Sequence, residues 1–211
     1  MLTSLGRRAI KVGNFNGVQR CMSGFSFAGP RKLDEVMKTE LLEGKSKTEV
    51  SDMWMAYHEN QEGVLASTLD VDNSIKVLDR AKKRPFFIQP VFREDGHFML
   101  VSQYQSPSHF FLAYLESYRM DPDRAQPLIT FSVFTELQES HDISLLRCDV
   151  INRGIEVKEA SVIMKNVIDS YRIDEDFLKV KDFNDTPEKF DIDDYISCMK
   201  LKLEVDDKGN K

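Results

Sequence analysis

This chain has few residues that could carry out chemistry. His58-Glu59-Asn60-Gln61-Glu62 opens like a zinc-protease helix, where two histidines four residues apart hold the metal and the glutamate between them activates water. Glu62 fills the place of the second histidine, so the metal would lack a ligand and the match is coincidental. Asp70-Val71-Asp72-Asn73-Ser74 begins like a calcium loop. Ile75 stands where glycine must make the turn, and Ala81 where a bidentate glutamate is required, so the pattern reads as a helix cap. Cys21, Cys148 and Cys198 form no close pair and no zinc spacing, which suits reduced, structural thiols. The stretch from Asp174 to Asp194 could pair carboxylates for acid–base work. Lys179, Lys181 and Lys189 interleave with them, however, as on a solvated face.

His97, His109 and His141 have no partner nearby in sequence. There is no Gly-rich phosphate loop, no Gly-x-Ser-x-Gly elbow and no dinucleotide fingerprint. No catalytic, cofactor or metal site is legible. An enzyme would need a site formed only in three dimensions, a deep pocket lined by two or more of His97, His109, Asp149 and Asp182.

Hydrophobic periodicity sets out the elements that could position such groups. Leu33, Val36, Met37 and Leu41 recur at helical spacing up to Gly44. Ser46-Lys47-Thr48-Glu49 is a capping box, followed by Val50, Met53, Trp54 and Tyr57 on one face. Val64 to Leu69 reads as a strand. Asp70 or Asp72 caps a helix carrying Ile75, Leu78 and Ala81, which ends at Lys82-Lys83-Arg84-Pro85.

Phe86 to Phe92 and Phe98 to Tyr104 flank Asp95-Gly96, a hairpin signal. Phe110 to Leu115, Leu128 to Phe134 and Ile143 to Ile151 follow as strands. A helix then buries Ala160, Ile163, Met164, Val167, Ile168 and Tyr171. Phe177 to Phe183 reads as a last strand, and Thr186-Pro187 opens a short final helix toward Met199. The expectation is an α+β domain, a mostly antiparallel sheet flanked by helices and preceded by two N-terminal helices. Residues 33–203 form that single domain, and 204–211 a frayed polar tail.

The unusual feature is aromatic. Phe86, Phe87, Ile88 and Phe92 leave few polar gaps, and Phe110 to Leu115 leaves none. A strand apolar on both faces is either buried on both or has one face awaiting a partner. We therefore expect Phe86, Phe87, Phe92, Phe110, Phe111 and Tyr114 to contact a partner, with the N-terminal helices as a second candidate. Pro90 marks that strand as an edge or a bulge.

Charge is distributed as sharply. Residues 1–33 hold six basic side chains and no acidic one, whereas the rest of the chain carries 35 acidic groups against 23 basic. A basic, acid-free, Ser-bearing head with Leu2, Leu5, Ala9 and Val12 on one helical arc has the character of a mitochondrial transit peptide over residues 1–32. Cleavage is expected between Arg20 and Arg31, the bond after Met22 being one candidate. No stretch reaches the 18 apolar residues of a spanning helix, and the acidic body disfavours nucleic acid.

These segments also resemble a known family. Lys38-Thr39-Glu40-Leu41-Leu42-Glu43-Gly44-Lys45-Ser46, with Glu49, Trp54, Tyr57 and His58, is similar to the opening of the mitochondrial ATP synthase assembly factors, chaperones of the synthase's β subunit. The likeness continues through Arg80 to Pro85 with Phe87 and Pro90, through Leu128 to Phe131, Phe134 to Leu137 and Ile143 to Arg147. It closes at Phe183-Asn184-Asp185-Thr186-Pro187-Glu188-Lys189-Phe190. Three places depart from the pattern. Val133 replaces a His, Asp142 a common Gly, and Cys148-Asp149 a Gly-Glu.

The resemblance implies a monomeric matrix chaperone that binds free β subunit, prevents its aggregation and hands it to the α subunit. It carries over no catalytic residue and no cofactor. A permanent structural component of the synthase would differ by residing there stoichiometrically.

Overall fold

The computed structural model describes residues 31–209; the basic head up to residue 30, with its candidate cleavage bonds up to Gly29 and Cys21, lies outside the described residues. Six strands form one antiparallel sheet in the order β1-β6-β5-β4-β3-β2. They are β1 (Val64–Leu69), β2 (Phe86–Arg93), β3 (Gly96–Gln105), β4 (His109–Tyr114), β5 (Ile129–Phe134) and β6 (Ser144–Val150). The helices are α1 (Leu33–Val36), α2 (Lys47–His58), α3 (Val71–Lys83), α4 (Leu115–Met120), α5 (Gln138–His141), α6 (Val157–Arg172), α7 (Asp174–Asp185) and α8 (Ile192–Gly209). The α+β expectation holds.

Local chemistry sets the boundaries. Ser46 Oγ accepts the Glu49 N–H while the Glu49 carboxylate accepts the Ser46 N–H at 2.8 Å, which starts α2. Asp70 accepts the Asn73 N–H at 2.8 Å and starts α3, so the calcium-like segment is indeed a cap. Arg93 pairs with Gly96 across the hairpin turn, where a φ of +137° requires glycine. Pro90 sits in β2, which is an edge strand, where its missing N–H disrupts no ladder.

The sheet is packed on both faces. On one, α3, α6, α7 and α8 cover Phe87, Leu100, Phe110, Leu112, Phe131 and Leu146. On the other, α1 and α2 form a separate cluster in which Leu33, Leu42, Val50 and Trp54 pack on Phe134 and Leu145. A third, smaller cluster joins Tyr118 and Ala125 to Val101 and Ala113.

Three elements differ from the sequence reading. Phe177 to Phe183 is not a strand but the middle of α7, with Phe177, Val180 and Phe183 buried at helical spacing and Leu178 exposed. The expected helix from Leu33 to Gly44 breaks at extended Met37 and resumes as a 3-10 turn, Thr39–Leu42. This shift in phase buries Leu42 rather than Leu41 beside Trp54. The final helix starts later and runs longer than expected. Asp191 accepts the N–H groups of Asp193 and Asp194, both at 3.0 Å, and α8 continues to Gly209.

Candidate partner-binding face

Side chains alternate along a strand, so the pairing register divides the six aromatic residues expected to meet a partner. Phe87 and Phe110 lie under the helices, at 1% and 0% exposure. Phe87 is edge-on to Phe183 and Tyr195, and Phe110 is stacked on Phe131 at 4.6 Å. Tyr114 shares that face, opposite Leu100, half-buried against Phe98. Its hydroxyl lies so near Gly154 that a Cβ there would stand 2.6 Å away. The register turns Phe86, Phe92 and Phe111 toward the opposite face, each half-buried, although at the β2 edge Phe86 and Phe92 also pack against the helix-side core.

Two rows of side chains cross that opposite face. One runs Gln105, His109, Ser132, Arg147; the other runs Gln103, Phe111, Thr130, Asp149. The α4 segment closes one end of the face and α2 the other, which leaves Phe111 among polar neighbours. Gln103 Oε1 is buried without a hydrogen-bond partner, as is the Tyr118 hydroxyl. Both flank Phe86: Gln103 is its partner across the β2–β3 pair, and the Tyr118 ring is 6.3 Å from it. Buried polar atoms of this kind cost free energy while unpaired, which makes the packing under Phe86 locally expensive.

Where α2 meets β6 the polar groups are paired. The Trp54 indole N–H donates to the Leu146 carbonyl at 3.0 Å. His58 Nδ1–H donates to the Trp54 carbonyl at 2.8 Å, so its Nε2 is free to accept from the Arg147 guanidinium at 3.4 Å. Arg147 also holds Asp149 through two nitrogens, with a closest approach of 2.7 Å. Burial, and then the Arg147 charge, push the His58 pKa below its ordinary value, against the pull of the Trp54 carbonyl. Burial likewise lowers His109, whose ring contacts Ser132 Oγ at 3.0 Å. Burial thus disfavours the charged form of both imidazoles, whose ring contacts here are structural hydrogen bonds.

The residues weighed for catalysis are scattered. His97 is exposed near the hairpin turn and Asp182 is exposed on α7, while His109 and Asp149 share the opposite sheet face. Two clefts, of about 200 Å³ among α6, α7 and α8 and about 490 Å³ beside β1, are lined by none of the four. Burial pushes the Cys148 thiol up to about 12, which leaves it protonated. Among the described residues no group of three or more potential ligands is placed to hold a metal ion. Four carboxylates of the acidic stretch are held in ion pairs. Asp174 meets Lys76 and Arg80, which draw its pKa down to about 2, and Asp176, Asp185 and Asp194 meet Lys202, Arg84 and Lys179.

Sequence reasoning missed Gln103, Tyr118 and Ser132 on this face. The alternation of Thr130 and Ser132 with Ile129, Phe131 and Val133 was the available signal for Ser132, and no comparable one existed for Tyr118. Among the described residues no helix is long and apolar enough to cross a membrane.

Comparison with known proteins bears out the family likeness. Over 171 residues the chain is 26% identical to ATP synthase mitochondrial F1 complex assembly factor 1 of Danio rerio, covering 78% of this chain and 54% of that one. The protein of the same name from Homo sapiens is 24% identical, with 78% and 50% covered. The chain thus spans about half the length of the curated relatives it matches. A solved di-domain structure, ARO/CYC BexL, overlaps 61% of this chain and 52% of its own at 12% identity and a TM-score of 0.22, too little to bear on the fold. The profile of the family described as ATP11 protein matches residues 23–196, and the chain belongs to that family.

Proposed function

We propose that this protein is a mitochondrial assembly factor for the catalytic head of ATP synthase. In this reading it is a chaperone, not an enzyme, that binds free β subunit in the matrix, holds it from aggregating and releases it to the α subunit. The observation that carries the reading is the family match across residues 23–196, joined by relatives whose names specify F1 assembly. The face bearing Phe86, Phe92 and Phe111 supports it, because half-buried aromatic rings beside a polar row suit a partner surface. Phe87, Phe110 and Tyr114 act from the layer beneath, by fixing the strands that present the other three.

The mechanism is mass action. A binder of the exposed monomer lowers its free concentration in proportion to affinity, with no nucleotide hydrolysis, and an interface of ordinary size permits release. Residues 1–32 serve as the import label, and the working form is a monomer. The test is light scattering of purified β subunit diluted from denaturant, with and without this protein. Suppression at stoichiometric amounts is expected, and undiminished scattering refutes the reading.

A further inference from the structure

The two edges of the sheet are treated differently. Along β2 four of the peptide groups that point away from β3 are occupied or missing, from Phe86 to Pro90. The Tyr104 N–H bonds to the Pro85 carbonyl at 2.7 Å, which fixes the phase of the ladder and turns Phe86, Ile88 and Pro90 outward. Asn184 accepts the Phe86 N–H at 3.4 Å and donates to the Phe86 carbonyl at 2.6 Å. The Tyr195 hydroxyl donates to the Ile88 carbonyl at 3.1 Å, and Pro90 has no N–H. Side chains from α7 and α8 therefore blunt this edge, as natural sheets do against unwanted pairing.

At β1 the outward Val64 N–H bonds to the Gln61 carbonyl at 3.2 Å, but among the described residues no side chain caps the outward groups of Ala66 and Thr68. The Val150 N–H bonds to the Gly63 carbonyl at 2.8 Å, so Leu65, Ser67 and Leu69 face the β6 ladder and the peptide groups of Ala66 and Thr68 point away from it. All six residues of β1 are half-exposed. A cleft of about 490 Å³ runs between this edge and α6, bordered by Ser67, Leu69, Met164, Lys165, Ile168 and Arg172. Its charges balance: Lys165 and Arg172 both pair with Asp169, at 3.3 and 2.6 Å, and the Asp70 carboxylate holds Asn73 at the strand end.

We propose that β1 and the cleft beside it are a docking site for an extended segment of another polypeptide, added to the sheet as a seventh strand. The complement of outward-facing peptide groups is a peptide backbone. The complement of a charge-balanced cleft floored by Met164 and Ile168 is a segment with uncharged, apolar residues at the alternate positions facing α6. This deepens the assembly-factor reading, because it names how an unassembled chain is gripped, yet its test does not require that subunit.

The probe is the soluble peptide acetyl-Lys-Val-Thr-Val-Thr-Val-Lys-amide, whose valines share one face and whose lysines lie on the other, with two twins carrying N-methyl groups on alternate residues in either phase. The readout is amide hydrogen exchange in the 15N-labelled full chain. At millimolar peptide the amides of Ala66 and Thr68 should exchange at least tenfold more slowly, and at least one N-methylated twin should leave them unchanged. Thr68→Pro removes an outward N–H while sparing the ladder to β6, and should abolish the effect of the peptide on Ala66.

The proposal is overturned if the peptide slows neither amide, or if both N-methylated twins act as well as the parent. It is also overturned if the free chain already protects Ala66 and Thr68, which means that its own residues fill the edge. Protection that rises with protein concentration alone overturns it in favour of a second copy. Failure to capture β subunit while peptide protection persists strikes the assembly-factor reading instead, and the converse result strikes only the docking edge.

Discussion

Replacing Trp54 tests whether the α1–α2 cluster holds the N-terminal helices to the sheet. The ring has no exposed area, lies 4.1 Å from His58 and 5.7 Å from Phe134, and donates its N–H to the Leu146 carbonyl at 3.0 Å. Truncating a buried Trp to Ala removes its transfer free energy and leaves a cavity, about 3–5 kcal/mol together. A domain with about 5–15 kcal/mol in total loses a large share of its stability. At about 2–4 °C per kcal/mol for this size class, a 4 kcal/mol loss lowers Tm by about 8–16 °C.

Trp54→Phe keeps an aromatic ring but loses the donor, and should cost about 1–3 kcal/mol. Because Trp54 is the only tryptophan, unfolding in urea should be followed by far-UV circular dichroism, with the denaturant slope unchanged. Hydrogen exchange should accelerate in α2 and β1 before α6, since Trp54 belongs to a cluster separate from the helix-side core. A cost below about 1 kcal/mol for Trp54→Ala, or equal costs for the two variants within about 0.5 kcal/mol, refutes the reasoning.

Three further outcomes follow from the same structure. Asn184→Ala strips both hydrogen bonds from Phe86 and should cost about 1–3 kcal/mol in urea titration while raising concentration-dependent scattering, because it unblocks the β2 edge. Phe110→Ala should cost about 3–5 kcal/mol in the same titration, whereas Phe111→Asp on the half-buried face should leave a folded protein that suppresses β-subunit aggregation less well. Wild-type suppression by folded Phe111→Asp rejects that placement. As pH falls below 6.5 the unfolded chain protonates His58 and His109 while the fold, with both pKa values lowered by burial, does not. Stability therefore falls by at most about 1.4 kcal/mol per pH unit for each proton withheld. This loss precedes that of Asp174, which begins near 3.8 and is complete near 2. His58→Gln and His109→Gln should flatten the first limb.

How much could be read in advance depended on whether a segment satisfied one periodicity or two. The Asp95-Gly96 hairpin, the Ser46 capping box and the six buried positions of α6 admit a single reading, and all are present. Phe177 to Phe183 admits two. Leu178, Val180 and Asp182 alternate with lysines as a strand would, while Phe177, Val180 and Phe183 recur as a helix would. The three acids Asp174, Glu175 and Asp176 could have decided it, since negative charge favours a helix N-terminus. The break at Met37 was not legible, because what rewards it is the position of Trp54 seventeen residues on. The candidate face was half legible. Aromatic runs were visible, but which rings are buried and which half-buried depends on strand register, and one residue of slip reverses the answer.

The three departures from the family pattern fall where the structure shows how this chain accommodates them. Asp142 adopts φ +52°, the left-handed conformation that favours glycine and that aspartate tolerates better than most residues, and its carboxylate is tied to Lys47 at 2.8 Å. Val133 is 1% exposed on the helix-side face, where an imidazole would need a partner and an aliphatic side chain needs none. Cys148 is fully buried between sheet and helices, a place for a small apolar side chain. Its neighbour Asp149 keeps a carboxylate against Arg147 and hence preserves the link to His58 and α2. Asp142 thus retains the backbone shape and Asp149 the charge that its position requires, while Val133 and Cys148 complete the apolar core between sheet and helices.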